Sequence, residues 1–474
     1  SSFNAKGHLI SKMLNNYVNK NEIPNNIGIT QESYQSYKEV DYTNNTNVRD
    51  KWAINSSTRI KYPSIIKSST EYKNGYSYTT QFLDYDLVSG VSKTQLHTSS
   101  DGRAFKTQVV PAYIKYPGMG SKVDDINNAN MLSQVAAQYS YLLDNGDWKV
   151  TGVGITTWNN QWTYKTIEGN EVNTSNPKEM VWRKHKTYVW DGVTDSEGIF
   201  QNYDTTTDDE FDWTGIGVMP NKWKKISEIT LYNNYSAPLE VMDINGNKAT
   251  TKMGDGDTKI AAVGNSGYNE LFYTGAEYVK HDYWLDSEVR NEGGVTQDAT
   301  IVHTGKYSSK VTSAQKLGVF MRTGQHRAGR YKLSVWVHKT NESKARVSIF
   351  ENSNMVNFNG ETFYAGNWVL KTHYFDNVPT GDFYPYVTSV DTTPVYFDDF
   401  MLRPVASSIT GYVYNEYDEL THIIGNNGLA TRYEYDAAGR LVKTYAEIID
   451  DPANGITGGF KLKTTHKINY KNAN

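Results

Sequence analysis

The 474-residue chain contains no cysteine. That excludes thiol catalysis, cysteine-ligated metals and disulfide staples, and it fits a bacterial surface or secreted protein that crosses membranes without disulfide chemistry. No run approaches the roughly 18 apolar residues needed to span a bilayer, and the opening SSFNAKGHLISK has no apolar signal core. A chain without a membrane span is expected, either mature or a fragment of something longer. The formal net charge of −4 with no Lys/Arg block leaves no electrostatic footprint for nucleic acid. Catalytic signatures are missing too: there is no Gly-x-Ser-x-Gly, His-Glu-x-x-His, phosphate loop or dinucleotide fingerprint, and the ten histidines form no pair at metal spacing. A non-enzyme is expected. A glycosidase carboxylate pair would leave no local signature, because its two acids need only lie about 5 to 10 Å apart in space, so a polysaccharide-degrading enzyme stands as a third reading.

What is abundant is aromatic and polar. The 36 tyrosines and 11 tryptophans, with many Asn, Thr, Ser and Gly, favour strands and polar loops, so a mainly β fold with one or few short helices is expected. The length is too great for one core. Composition divides it into 1–147, 148–277, 278–406 and 407–474. The first part reads as short strands such as 75–85, 91–98 and 104–110, with turns at Asp86–Gly90 and Ser99–Gly102 that place Gly where a positive φ is cheap. One helix is predicted near 128–143, because Leu132, Val135, Ala136, Tyr139 and Leu143 sit at helical spacing behind Asp124, Asp125 and Asn128. The second part is rich in Trp, including Trp162, Trp190 and Trp223; exposed, these would make a sugar platform or protein-binding surface, and buried they would fill a core. Asp204–Asp212 gathers five acids, which is either a calcium loop without EF-hand spacing or a solvated acidic loop.

A period is visible near the end of the chain. Tyr412-x-Tyr414 recurs as Tyr433-x-Tyr435, and Leu420 as Leu441, a shift of 21 positions, which signals stacked units. Each unit alternates aromatic and polar residues around a tight turn, as a hairpin does. The string Tyr433-Glu-Tyr-Asp-Ala-Ala-Gly-Arg-Leu441 resembles the tyrosine-aspartate (YD) repeat of the RHS family; in the first unit Asp418 and Glu419 stand where Gly439 and Arg440 stand. Tyr232–Glu277, with its Asn245-Gly246 turn, runs in the same grammar, and 91–120 resembles a stretch of large RHS-type surface proteins of Bacteroidota. The resemblance implies a framework of β-hairpins and brings no active site with it.

Between the two repeat regions the composition changes. The strings HTGKYS (303–308), YKLSVWV (331–337) and YFDDFML (396–402) resemble the landmark strands of jelly-roll carbohydrate-binding modules. In Tyr331–His338, Leu333, Val335 and Val337 share one face, and Lys332, Ser334, Trp336 and His338 the other. If the second face is concave and open, Trp336 and His338, with Arg346 and Phe350 from the next strand, offer stacking and hydrogen bonds to a sugar ring; if a loop or the neighbouring repeats cover it, Trp336 is structural. Asp398 and Asp399 fall on opposite faces of the last strand. The resemblance implies a structural Ca²⁺ held by such an Asp, by Glu288 and by backbone carbonyls near His303–Lys306.

These readings converge on a non-enzymatic extracellular surface protein that binds a polysaccharide or adheres through a jelly roll displayed on a repeat framework. The rival is an accessory or scaffold, either bound to a larger secreted surface protein or outer-membrane translocon of the type IX secretion and gliding kind, or a piece of an RHS toxin-delivery shell. No sorting domain is visible after Lys463, which puts direct use of that route in doubt.

Overall fold

The computed structural model describes residues 2–3, 9–22, 29–41, 49–61, 64–73, 75–86, 88–121, 129–165, 171–173, 181–201, 203, 211–213, 222–281, 283–285, 288–349 and 354–466. Phe350, Asp124, Asp125, Asn128 and most of the acidic run (204–210) lie outside the described residues. The fold is mainly antiparallel β. It falls into two compact units: Ser1–Trp158 with Thr187–Lys225, and Asn159–Lys186 with Ile226–Asn474.

In the first unit, strands Ile66–Lys73, Tyr76–Tyr85, Ser92–Thr98, Ala104–Pro111, Val135–Asp144 and Asp147–Asn159 form a meander, each pairing with the next. The helix predicted near 128–143 is therefore corrected: from Val135 onward it is a strand flanked by partners on both sides. The apolar residues of VAAQYSYLLD match a 3.6 period, but the next two residues decide the matter. Asn145 and Gly146 have φ of 49° and 89°, the pair of left-handed residues of a two-residue hairpin turn, and Asp144 pairs directly with Asp147. The Trp-rich region supplies core here. Trp190 and Trp223 are buried with Ala137, Val153, Ile155 and Phe211, and they pack edge-to-face with ring centroids 5.5 Å apart.

In the second unit, strands Pro238–Asp243, Lys248–Gly254 and Lys259–Gly264 pair in succession. The sheet then resumes with Ile409–Tyr414, Leu420–Ile424, Ala430–Tyr435, Leu441–Ile448 and Gly459–Thr465. The splice is direct, with Ala262 opposite Gly411 and Gly264 opposite Ile409. One local device closes these hairpins. An Asn or Asp side chain accepts from the backbone N–H groups two and four residues on: Asp243 from Asn245 and Asn247, Asn415 from Tyr417 and Glu419, and Asp436 from Ala438 and Arg440. The residue three on is left-handed, namely Gly246, Asp418 and Gly439. The degenerate unit therefore folds like the consensus one, with Asp418 in glycine's place.

Between the splice points sits a two-sheet sandwich. One sheet runs Gln297–Asp298, Ser308–Val311, Val395–Pro404, Gly329–His338, Trp368–Val378, Thr362–Ala365, with Phe272–Thr274 also paired to Val395–Pro404. The strands of the three landmark strings are thus adjacent. The other sheet ends in Lys316–Gly318, Pro385–Ser389 and Ala345–Ile349. Leu333, Val335 and Val337 face the sandwich interior with Val347, Val387 and Phe397, as the alternation requires.

Candidate binding cleft and the buried seam beside it

The outer face of strand Gly329–His338 is covered by the repeats. Trp336 is fully buried with Trp368 and Leu370, and Leu429 packs on them. Its indole N–H donates to the Gly428 carbonyl at 2.8 Å, and its ring stacks on His303 at 4.2 Å between centroids. A sugar has no access to it, so the open-face expectation is corrected in favour of a covered one. Arg346 is on the opposite sheet, because the 3-10 segment Lys339–Lys344 carries the chain across, and its guanidinium donates to the carbonyls of Ser343 and Ala345. His338 accepts from Thr340 and packs edge-on against Trp368. The three predicted sugar contacts that the structure describes, Trp336, His338 and Arg346, do not form one open site.

Asp398 and Asp399 are both buried, against the expectation that they diverge. Opposite Ser334 stands Met401 and opposite Trp336 stands Asp398, so the Asp-bearing strand carries one extra residue, and Asp399 has φ 47°. This bulge breaks the alternation and turns both carboxylates onto the loop of His303 and Thr304. Asp398 accepts from the backbone N–H groups of His303 (2.9 Å) and Thr304 (3.3 Å). Asp399 accepts from Tyr273 Oη and Thr304 Oγ1, each at 2.9 Å, and lies 2.8 Å from His303 Nδ1. On the repeat side, Glu447 Oε1 is 2.7 Å from His303 Nε2, while its Oε2 accepts from Ala430 N.

The imidazole is thus clamped between carboxylates of the sandwich and of the repeats. Burial alone would lower its pKa, but the Glu447 charge and the hydrogen bonds to Asp399 and Glu447 raise it to about 10. Burial, and then the Asp399 charge, push Asp398 well above the carboxylate range. Thr304 Oγ1 donates to Asp399, and the His303 side chain is 2% exposed. The residues do not fit the expected calcium. The acceptor oxygens of Asp398 and Asp399 are occupied by protein donors, and Glu288 is paired with the buried Lys252 ammonium at 3.3 Å. Among the described residues no three acids or histidines are grouped to hold a metal ion.

Next to this seam lies an open cleft of about 610 Å³. The turn of the degenerate repeat (Tyr414, Glu416, Tyr417, Asp418) forms one wall, the sandwich loop Gly305–Tyr307 another, and Glu277 and Tyr278 the floor. Tyr417 is 76% exposed and also borders a groove of about 830 Å³ that continues along Tyr433 and Tyr435. Glu277 Oε1 accepts from Lys306 N at 2.8 Å and Tyr307 N at 3.1 Å. A Cβ at Gly305 would overlap that carboxylate, so this position needs glycine for space as well as for its φ of 65°. Burial, outweighing the two backbone N–H groups and aided by the Asp399 charge, pushes Glu277 up to about 8. Beneath, burial lowers His422 to about 4. Sequence reasoning assigns none of these cleft side chains to a binding site, and it reads the His303–Lys306 backbone only as part of a metal cradle. Tyr414 is visible as a repeat position, but no local signal marks which repeat turn meets a sandwich loop.

A comparison with protein families matches the RHS Repeat model to residues 414–447. Among solved structures the chain is similar to the CBM22-1 xylan-binding domain of Xyn10C from Paenibacillus barcinonensis (17% identity, 25% of this chain and 85% of that one, TM-score 0.20). It is also similar to the TcdB2-TccC3 structure (11%, 94% and 28%, TM-score 0.17) and to the exo-beta-1,3-galactanase Pc1,3Gal43A of Phanerochaete chrysosporium (9%, 84% and 97%, TM-score 0.19). The chain thus spans little more than a quarter of the second. No curated protein matches the chain. The hairpin device at Asn415 and Asp436 and the match to the RHS Repeat model cover the same stretch, residues 414–447.

Proposed function

We propose that the protein is a non-enzymatic glycan-binding protein of the bacterial cell exterior, and that it holds its ligand in the cleft where the degenerate repeat meets the sandwich loop. The observation that carries this reading is the cleft's lining: four tyrosines (Tyr278, Tyr307, Tyr414, Tyr417) among carboxylates and ammonium groups. Aromatic faces take the apolar side of a sugar ring while polar groups take its hydroxyls. The RHS repeat, the absence of cysteine and the lack, among the described residues, of any helix long and apolar enough to cross a membrane support an extracellular address. Because Tyr417 borders both the cleft and the groove beyond it, the reading favours a chain of sugars over a single one. The role falls to the seam rather than to the sandwich's own face, since Trp336 is covered.

The test is a glycan array followed by calorimetry on the full chain with Tyr417→Ala. The side chain is exposed, so the variant folds. Expected is an oligosaccharide whose affinity rises with length and drops at least tenfold in the variant, which corresponds to about 1.4 kcal/mol. An array without a binder, or a binder indifferent to Tyr417, refutes the assignment. Release of reducing sugar by the purified chain would overturn the non-enzymatic part.

A further inference from the structure

The charges of the cleft bear on which sugars it takes. Lys259 is already neutralised, with Nζ 2.6 Å from Asp418 and 3.1 Å from Asp255. Together with the exposed Glu416, these two carboxylates outnumber Lys259 and Lys306, so the walls carry a net negative charge even with Glu277 protonated. Glu277 is built in a particular way. Its Oε1 is committed to two backbone N–H groups, and its Oε2 has no protein hydrogen bond among the described residues while the side chain lines the cleft. The groups that face it are Asp398 and Asp399 from the sandwich strand, Tyr273, Lys306 from its own wall and, across the cleft, Lys259, Asp255, Asp418, Glu416 and the neutral His422.

Resting on the glycan-binding reading above, we propose that the cleft selects uncharged glycans over uronate- or sulfate-bearing ones, and that Glu277 Oε2 makes the hydrogen bond that fixes a sugar hydroxyl on its floor. An anionic sugar would bring its charge into walls that are already negative, partly shielded from water, where like charges repel most. A protonated Oε2 donates to a hydroxyl oxygen. Above about pH 8 burial no longer keeps the proton on Glu277, so the donor is lost and the cleft gains a further negative charge.

The experiment is calorimetry on the full chain with neutral xylo-, cello- and manno-hexaoses and with hexagalacturonate and a sulfated hexasaccharide, at pH 6.5 and 9.5. Expected is a neutral hexaose bound at least tenfold more tightly than either anionic one, with its affinity falling at least threefold between the two pH values. Glu277→Gln, which cannot ionise, should abolish that fall. Glu416→Lys should narrow the neutral-to-anionic gap at least threefold, and it carries the charge test should Glu277→Gln fail to fold. Anionic binding as tight as neutral overturns the selectivity. An undiminished pH dependence in a folded Glu277→Gln protein overturns the role of Glu277. Failure of every sugar of both classes overturns the glycan-binding reading itself.

Discussion

The seam and the cleft each keep a proton where a free side chain would not, and both leave a signature in stability against pH. His303 has a folded-state value near 10, above the roughly 6.5 of an unfolded histidine. Its contribution is fully present below that unfolded value and is lost as pH rises through about 10. Glu277, near 8 when folded against roughly 4.3 unfolded, binds more protons in the native state between those values, so stability again falls as pH rises through that window. Glu270 works the other way: burial would raise it, but Arg327, Ser266 and Gly267 N–H lower it to about 2, so its share is fully present above the roughly 4.3 of an unfolded glutamate and is lost as pH falls from there through about 2. Urea midpoints should therefore decline from pH 5 to pH 9, and Glu277→Gln should flatten the part below pH 8. Glu447→Gln removes a charge from a buried imidazolium, which costs about 3–5 kcal/mol when one partner of a buried pair is lost; a cost under 1 kcal/mol at pH 7 would mean that His303 is neutral. None of this was legible in the sequence, because His303 and Glu447 are far apart in the chain and the bulge that turns Asp398 and Asp399 together is set by strand pairing.

At the scale of elements, turn chemistry was the most legible feature and periodicity the least. The hairpin reading of 412–445 is visible in Asp436 and Gly439 alone, since a short acidic side chain followed three positions later by a left-handed residue specifies the turn. The strand Val135–Asp144 was misread because its apolar spacing fits a helix, whereas Asn145-Gly146 already specified a hairpin. Two glycines separate local strain from docking. Gly246 has φ 80° with open space around a would-be Cβ, so Gly246→Ala should cost about 1 kcal/mol from backbone strain alone. Gly428 has φ 84°, and its would-be Cβ lies 2.9 Å from Leu370, under the turn whose carbonyl receives Trp336. Gly428→Ala should cost clearly more, about 2–4 kcal/mol once the Leu370 and Trp336 packing is disturbed. Equal urea-derived losses for the two variants would show that the turn does not hold the sandwich.

Within the second unit the sandwich and the repeats share a buried boundary outside the sandwich's own core, which changes what the sandwich can do by itself. The sequence shows an inserted module by its change of composition, and the pairing of Lys259–Gly264 with Ile409–Tyr414 shows the repeat sheet closing behind it. It does not show that the strand between Ser334 and His338 is buried on both faces. Tyr273 and Met401 pack into a cluster with Val413, Ile424 and Ala430 of the repeats, and the clamp of His303 by Asp399 and Glu447 spans the same boundary. Cut out as residues 278–406, the sandwich would expose Trp336, Trp368 and Leu370 and leave His303 without Glu447. A buried tryptophan of this kind removes about 200 Å² from water, worth about 5 kcal/mol at 25 cal/mol per Å², so the loss is comparable to the stability of a typical domain. The excised segment should therefore bind a hydrophobic dye and melt well below the second unit of the whole chain, or fail to fold. In the whole chain 226–474 should unfold in one transition, followed by Trp336 fluorescence in a chain whose other tryptophans are replaced by Phe. An excised sandwich as stable as the intact unit would mean that the repeats merely lie over a self-sufficient module. Its Trp336 face would then be a ligand surface only temporarily covered, and the cleft at Tyr417 would lose its standing as the first place to look for the sugar.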